Sequence, residues 1–254
     1  MKTLAEQAAR EAGRLLLRSF RTERSPVRSK GLGDIVTDAD AASERLIRRR
    51  LAPSGIPVLG EEGGGPEALS RGRLWIVDPL DGTVNFAHGN PVFSVSIALV
   101  EDGRTLLGVV HDHTRGETFS AERGKGAWLN GKRISVSRKT KLIESLLSTG
   151  FSYQRGRALD RSLKRFGRFH HLARAVRRPG SAALDLAYVA AGRFDAFWET
   201  GLKPWDVAAG RLLVEEAGGR VTDYAGRACR LGHPDILASN GRLHAVMIRD
   251  LHEA

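Results

Sequence analysis

Leu74-Trp75-Ile76-Val77-Asp78-Pro79-Leu80-Asp81-Gly82-Thr83 runs four apolar or aromatic residues directly into two carboxylates three apart, then a glycine and a hydroxyl. A short β-rich run of this kind predicts a buried strand over Trp75–Val77, with Asp78 at its carboxyl end. A turn at Pro79 is expected to bring Asp81 back towards Asp78. Pro79 has no N–H, and the Leu80 carbonyl remains a free oxygen donor. Oxygen-only donors suit a hard cation such as Mg²⁺ rather than zinc. Gly82 lets a phosphate approach the backbone, and Thr83 offers a hydroxyl to orient a water. Two metals about 4 Å apart, bridged by one carboxylate, would stabilise both the attacking and leaving oxygens of a phosphoryl transfer.

Three other acidic groups also end or follow apolar runs, where scaffolds present functional groups. They are Gly33-Asp34-Ile-Val-Thr-Asp38-Ala-Asp40, Val58-Leu59-Gly60-Glu61-Glu62 and Lys203-Pro204-Trp205-Asp206. Each has a structural reading as well. Asp38 or Asp40 can cap a helix, Glu61-Glu62-Gly63-Gly64-Gly65 can be a solvated turn, and Asp206 can complement the positive end of the helix after Pro204.

Outward from these motifs the chain alternates between helical and strand patterns. Thr3-x-x-Glu6 has the form of a capping box, and Leu4, Ala8, Ala12, Leu15, Leu16 and Phe20 follow at helical spacing with Arg10, Arg14, Arg18 and Arg21 opposite. A second helix is predicted over Ala39–Leu51, stopped by Pro53-Ser54-Gly55. Residues 56–136 read as short strands with turns at Glu101-Asp102-Gly103-Arg104 and Asn130-Gly131. Helices are expected near 160–175, 181–191 and 205–217, and strands near Arg193–Trp198, Arg220–Thr222 and Ile236–Ala238. The pattern predicts a mixed α/β layered sandwich. A soft division near residue 150 predicts an N-terminal α+β part (1–150) carrying most candidate ligands and a C-terminal α/β part (151–254) completing the site, packed as one unit.

The 254 residues fit one large domain or two intimately packed ones, at ~150 residues per domain. Hydrophobic residues make up 41% and charged residues 27%, which excludes a disordered or fibrous chain. No apolar stretch approaches the roughly 20 residues of a membrane span. A carboxylate at Glu6 precedes any apolar run, unlike a secretory signal. The one cysteine, Cys229, fits a reducing compartment, so a cytoplasmic protein is expected. Net charge is +11, and the segment from Phe151 to Gly180 holds nine basic residues against one acid, Asp160. The run from Arg155 to Arg178 reads as a solvated helix face or a subunit contact. It is also a candidate contact for RNA or a transcription factor.

Gly60-Glu-Glu62, Trp75-Ile-Val-Asp-Pro-Leu-Asp-Gly-Thr-Val-Asn-Phe86 and Lys203-Pro-Trp-Asp-Val-Ala-Ala-Gly210 closely resemble motifs of the inositol monophosphatase family. Gly33 to Asp40 and Gly180-Ser-Ala-Ala-Leu-Asp-Leu-Ala-Tyr-Val-Ala-Ala-Gly-Arg-Phe-Asp195 extend the match, the last looking most like the bacterial inositol-1-monophosphatase branch. The resemblance implies a layered αβαβα sandwich, usually dimeric and often inhibited by lithium. It implies Mg²⁺, about two to three ions per site, held by Glu61, Asp78, the Leu80 carbonyl, Asp81 and Asp206. By the same resemblance, Thr83 and Asp40 orient and activate the attacking water together with Glu61. Substrate contacts are implied from Leu80, Asp81, Gly82, Thr83, Gly180, Ser181, Ala182, Glu199 and Asp206, and from Arg177, near the pocket or a dimer contact. The helix starting at Gly180-Ser181-Ala182 would turn free N–H donors to the substrate. Glu199 matches an acid that bonds inositol hydroxyls in some members.

Those roles predict hydrolysis of a small polyol phosphate monoester, inositol 1-phosphate first, by water activated on Mg²⁺. Histidinol phosphate, then fructose 1,6-bisphosphate and 3′-phosphoadenosine nucleotides, the substrates of related enzymes, are the alternative substrates. A non-enzymatic alternative is a binding module for RNA or a transcription component, using residues 155–178. Gly126-Ala-Trp-Leu-Asn-Gly-Lys-Arg133 nearly spells a P-loop, but Arg133 stands where Ser or Thr is needed. His111-Asp112-His113 departs from the family's usual Tyr-Asp-Pro. Its two histidines, two apart, can share a side of a strand and invite a metal, but a surface strand ending in a turn is the expectation. His170-His171 is expected at the surface.

Overall fold

Ala5, Ala8, Ala9, Ala12 and Leu16 form one buried stripe of α1 (Lys2–Thr22), with Arg10, Arg14 and Arg18 exposed opposite. The structure, a computed structural model, describes residues 1–22, 27–29, 35–66, 71–151 and 156–253. Asp34 and Arg155 lie outside the described residues. The helix starts earlier than the capping box predicts. The Met1 carbonyl accepts the Ala5 N–H at 3.0 Å, so Thr3 already lies inside the first turn. Glu6 faces Lys2 and Arg10 along the helix flank at 4.0 and 3.6 Å instead of reaching back to a cap.

Strands β1 (Val27–Ser29) and β2 (Ile35–Thr37) pair antiparallel and lead into α2 (Asp38–Leu51). Asp40 closes a capping box with Thr37: its Oδ2 accepts the Thr37 N–H at 2.8 Å and the Thr37 hydroxyl at 2.6 Å. The predicted stop at Pro53-Ser54-Gly55 is a 3₁₀ turn over Ala52–Ser54, ended by Gly55 at φ 67°.

Seven strands follow in one sheet in spatial order: β3 (Val58–Gly60), β4 (Arg73–Asp81), β5 (Ser94–Glu101), β6 (Arg104–Asp112), β7 (Glu117–Glu122), β8 (Gly126–Leu129) and β9 (Lys132–Ile134). Only β3 and β4 are parallel. Asp102 and Gly103, and Asn130 and Gly131, all take positive φ, as two-residue hairpin loops require. A short helix, α3 (Thr83–Ala87), interrupts the run between β4 and β5.

The second sheet has the order β11-β10-β12-β14-β13, with β10 at Leu146–Thr149, β11 at Ala175–Arg177, β12 at Ala196–Thr200, β13 at Arg220–Thr222 and β14 at Asp235–Ser239. Its helices are α4 (Arg157–Leu172), α5 (Ala182–Ala190), α6 (Pro204–Glu216) and α7 (His244–His252). Helix α4 lies three residues earlier than predicted, because Ala173 is extended and Ala175–Arg177 pairs with β10.

Burial sorts these elements into five layers. Trp75 and Val77 of β4 pack towards α1 and α2, whereas Leu74 and Ile76 share a core with Leu184, Ala187, Leu212 and Leu213 of α5 and α6. Phe197 and Ala238 of the second sheet close that middle layer, while Trp198 and Leu237 pack outward with Phe169 of α4 and Met247 of α7. The result is the layered sandwich that the pattern predicts, in the αβαβα order that the resemblance implies.

The reading of His111-Asp112-His113 as a surface strand needs correction. His111 and Asp112 are buried where β6 runs under α1 and beside Tyr188. The two imidazoles share a side, with His111 Nε2 2.9 Å from His113 Nδ1. His170 and His171 are exposed on α4, as expected.

Candidate active site

Two carboxylates three apart in an unbroken strand would point to opposite faces of the sheet. Strand β4 solves this with a bulge, not the turn expected at Pro79. Asp78 pairs with Ser96 and Asp81 with Ser94, so three steps on β4 oppose two on β5. The extra residue restores parity, and both carboxylates face α5 and α6. A proline inside a strand is tolerated at such a bulge. Its carbonyl is held from α2 by the Ser43 hydroxyl at 2.8 Å. Asp78 Oδ1 accepts the Leu80 N–H at 3.0 Å, which fixes the bulge from within.

A cavity of about 370 Å³ opens over this bulge. Glu61, Asp78, Leu80, Asp81, Gly82, Thr83, Gly180, Ser181, Ala182, Glu199 and Asp206 all line it. Asp40 stands behind that wall, with Oδ1 3.0 Å from Thr83 Oγ1, which also lies 3.0 Å from the Leu80 carbonyl. Gly82 takes φ 97°, and a Cβ there would meet the Val92 carbonyl at 2.9 Å. Asp206 sits at the third position of α6 and accepts the Lys203 N–H at 2.7 Å, so it caps its helix and lines the cavity together. Glu199 lies over Gly150, where any Cβ would fall 2.1 Å from its Oε2.

Two placements differ from expectation. Arg177 is exposed on β11 and lines a separate cleft with Arg138, Lys139 and Arg174. Its neighbour Arg178 lines the cavity instead, because residues alternate sides along the extended segment. The N-terminus of α5 is not left free for a substrate. The Ala183 N–H and the Ser181 hydroxyl are both given to Asp81 Oδ2, at 2.8 and 2.5 Å.

Sequence reasoning missed three residues of this region: Arg178, Asp185 and Glu44. Arg178 and Asp185 line the cavity. Buried Glu44 accepts the N–H groups of Glu62 and Gly63 at 2.8 and 2.9 Å and the Arg48 Nε at 2.7 Å. It fills the space beside Gly60 and Gly63, where a Cβ would fall 2.4 and 2.5 Å from its carboxylate. The loop carrying Glu61 is therefore fastened to α2.

Crowding of acids governs the electrostatics. Burial first, then the charges of Glu61, Asp81 and Asp206, push the Asp78 carboxyl well above the usual range. Burial and the charge of Asp81 push Asp206 up to about 8, and burial and Asp206 push Glu199 up to about 8 against the opposing charge of Arg178. Asp81 is also raised by burial, held back by its bonds from Ser181 and Ala183.

Among the described residues no three of His, Cys, Asp or Glu close into a ready metal cage. Mg²⁺ does not require one, since it takes one or two carboxylates and keeps several waters. The donors fit that ion: Glu61, Asp78, Asp81, Asp206 and the Leu80 carbonyl offer oxygen alone, and a cation among them would relieve their mutual repulsion. Among the described residues no helix is long and apolar enough to cross a membrane.

The profile of the inositol monophosphatase family matches residues 1–254. The Nus factor SuhB of Pseudomonas aeruginosa is 45% identical over 98% of this chain and 94% of its own length. An inositol-1-monophosphatase of Mesorhizobium japonicum is 42% identical over 96% and 92%. Among solved structures, the extragenic suppressor protein suhB of Bartonella henselae superposes with a TM-score of 0.94 at 39% identity, covering 99% of this chain and 98% of that one. With five layers in the expected order and an acid-lined cavity over the β4 bulge, these matches place the chain in the inositol monophosphatase family, as a phosphomonoesterase.

Proposed function

We propose that the chain hydrolyses a small polyol phosphate monoester, inositol 1-phosphate before others, in a Mg²⁺-dependent reaction. The observation that carries this reading is the position of Glu199. It is a buried carboxyl on β12, seated over Gly150, facing the cavity that Glu61, Asp78, Asp81 and Asp206 also line. A hydroxyl-bearing substrate can then reach an acceptor and the acidic cluster together.

Phosphate monoester dianions repel an attacking oxygen, so charge neutralisation and positioning are what the site must supply. Glu61, Asp78, Asp81, Asp206 and the Leu80 carbonyl would hold Mg²⁺. Bound there, the metal would offset the phosphate charge and make a water acidic enough to attack. Thr83 Oγ1, which donates to Asp40, would orient the attacking water, and the Asp40 carboxylate would take up the proton relayed through that hydroxyl. Gly82 packs too closely on the Val92 and Gly180 carbonyls to carry a side chain, and the backbone of Gly82 and Thr83 would hold the phosphate oxygens, as the resemblance implies. Arg178, which also lines the cavity, adds a positive charge.

The test is phosphate release from inositol 1-phosphate, histidinol phosphate, fructose 1,6-bisphosphate and 3′-phosphoadenosine 5′-phosphate, with Mg²⁺ and with EDTA. Mg²⁺-dependent release with preference for inositol 1-phosphate is expected. Preference for another ester discards the role given to Glu199, and release in EDTA discards the metal. The resemblance also supports a homodimer inhibited by lithium, which light scattering and inhibition by LiCl test, and the single cysteine supports a cytoplasmic location.

A second reading concerns the basic face. Arg157, Arg161, Lys164, Arg174 and Arg177 are exposed on and after α4, and one relative is named a Nus factor. Contact with RNA or a transcription component through this face predicts salt-dependent binding. That binding should survive Asp78→Asn and disappear when the arginines are neutralised.

A further inference from the structure

Asp185 stands in the first turn of α5, lines the cavity and is 2% exposed. Two other acids of the cavity have partners: Asp81 holds Ser181 and Ala183, and Asp206 holds the Lys203 N–H. Asp185 does not. Its Oδ1 is buried with no hydrogen-bond partner among the described residues. Burial first, then the charges of Glu199 and Asp81, oppose ionisation of the carboxyl, and Arg178 favours it.

Such a group weakens the fold, because burial strips its water and nothing replaces it. Every other residue of α5 from Ala182 to Ala190 except Tyr188 is buried and apolar, so packing gives no reason for an acid here. A buried acid that the fold leaves unsatisfied, on the wall of a binding cavity, finds its partner in what enters the cavity. A carboxyl keeps an acceptor oxygen whether it is ionised or protonated, and hydroxyls donate to it.

We infer that Asp185 is a specificity-determining residue, which together with Glu199 accepts hydrogen bonds from the hydroxyls of the substrate's polyol portion. The inference rests on the polyol phosphate reading and deepens it. Two acceptors lining one cavity select for an alcohol moiety with at least two hydroxyls within reach. Sites built to bond a hydroxyl reject analogues that lack it far more strongly than apolar pockets reject a changed shape.

The test compares kcat/KM for inositol 1-phosphate and for p-nitrophenyl phosphate, which has no ring hydroxyls, in the wild type, Asp185→Ala and Asp185→Asn at saturating Mg²⁺. In Asp185→Ala the ratio of the two should fall by about tenfold or more, through KM for inositol 1-phosphate. Asp185→Asn keeps a carbonyl acceptor and should recover part of the loss. Without metal, Asp185→Ala should melt no lower than the wild type, since the group removed had no partner. An unchanged ratio overturns the inference, and so does a large drop in melting temperature, which would make Asp185 structural. A wild type with no preference for inositol 1-phosphate over p-nitrophenyl phosphate overturns the polyol reading itself.

Discussion

Thr83 Oγ1 lies 3.0 Å from Asp40 Oδ1, which ties the first residue of α3 to the third position of α2. The same carboxylate closes the α2 cap through its other oxygen, which accepts from Thr37. One acid therefore serves the helix and the cavity wall, and the two duties can be separated by mutation. Thr83→Ala is expected to lower kcat by about 10²–10⁴-fold with little change in melting temperature. Asp40→Ala should add a loss of about 1 kcal/mol in stability from the broken cap. Steady-state kinetics beside thermal unfolding separates the two, and near-normal turnover in Thr83→Ala would falsify its role in orienting water.

Glu44 does not line the cavity, yet it holds the loop that carries Glu61. Glu44→Gln keeps the size but weakens the bonds from Glu62 and Gly63 and the pair with Arg48. The expected outcome is a rise of about 10–100-fold in the Mg²⁺ needed for half-maximal activity, typical when a group supporting a metal ligand is lost. A Mg²⁺ titration of activity decides it: an unchanged midpoint leaves Glu44 as a loop fastener only.

Much of the candidate site was legible in the sequence because its acids end local apolar runs. Asp78, Asp81, Glu61 and Asp206 needed no tertiary knowledge to be picked out. The bulge was hidden, since carboxylates three apart in a strand diverge unless the partner strand is known to skip a residue. Glu44 reads as an ordinary i, i+4 partner of Arg48, and its bonds to residues 62 and 63 exist only once the sheet forms. Arg177 and Arg178 are indistinguishable by type, and only the alternation of the extended backbone chooses between them. The layers were legible from periodicity, whereas α7 and β10 were not. Leu146–Thr149 is too short to show a pattern, and α7 buries His244 and Asp250 alongside Met247 and Leu251.

Gly150 has a steric duty towards Glu199. A methyl group at this position would lie 2.1 Å from Oε2 and 2.3 Å from the carboxyl carbon, so Gly150→Ala must displace the acid. KM for inositol 1-phosphate should rise by about tenfold, and the preference over esters without ring hydroxyls should shrink. Equal losses on both kinds of ester would place the damage elsewhere in the cavity.

Asp78 is buried among like charges, so removing its charge should relieve repulsion while destroying function. Asp78→Asn is expected to lose at least about 10³-fold in turnover. Without metal it should melt at or above the wild-type temperature. Loss of both activity and stability would mean that Asp78 acts chiefly in folding the bulge.

The same crowding fixes how stability depends on pH once Mg²⁺ is removed. Glu199 and Asp206 are pushed up to about 8, whereas carboxyls in the unfolded chain titrate near ~4. Between these values the folded protein holds protons that the unfolded chain has released, so stability falls as pH rises. His111 and His244 act in the opposite sense. Burial pushes both down to about 4, so below ~6.5 the unfolded chain binds the extra protons and stability rises with pH. Only above ~pH 6.5 do the carboxyls act alone. In EDTA the melting temperature should therefore decline from about pH 6.5 to about pH 8. Added Mg²⁺ should raise it, and more at the upper end, where the ligands are already deprotonated. Thermal unfolding across that range, with EDTA and with Mg²⁺, tests both signs at once. A metal-free melting temperature that climbs towards pH 8 would show that these carboxyls are ionised and compensated in the folded chain, and the acid cluster would then have no need of a cation.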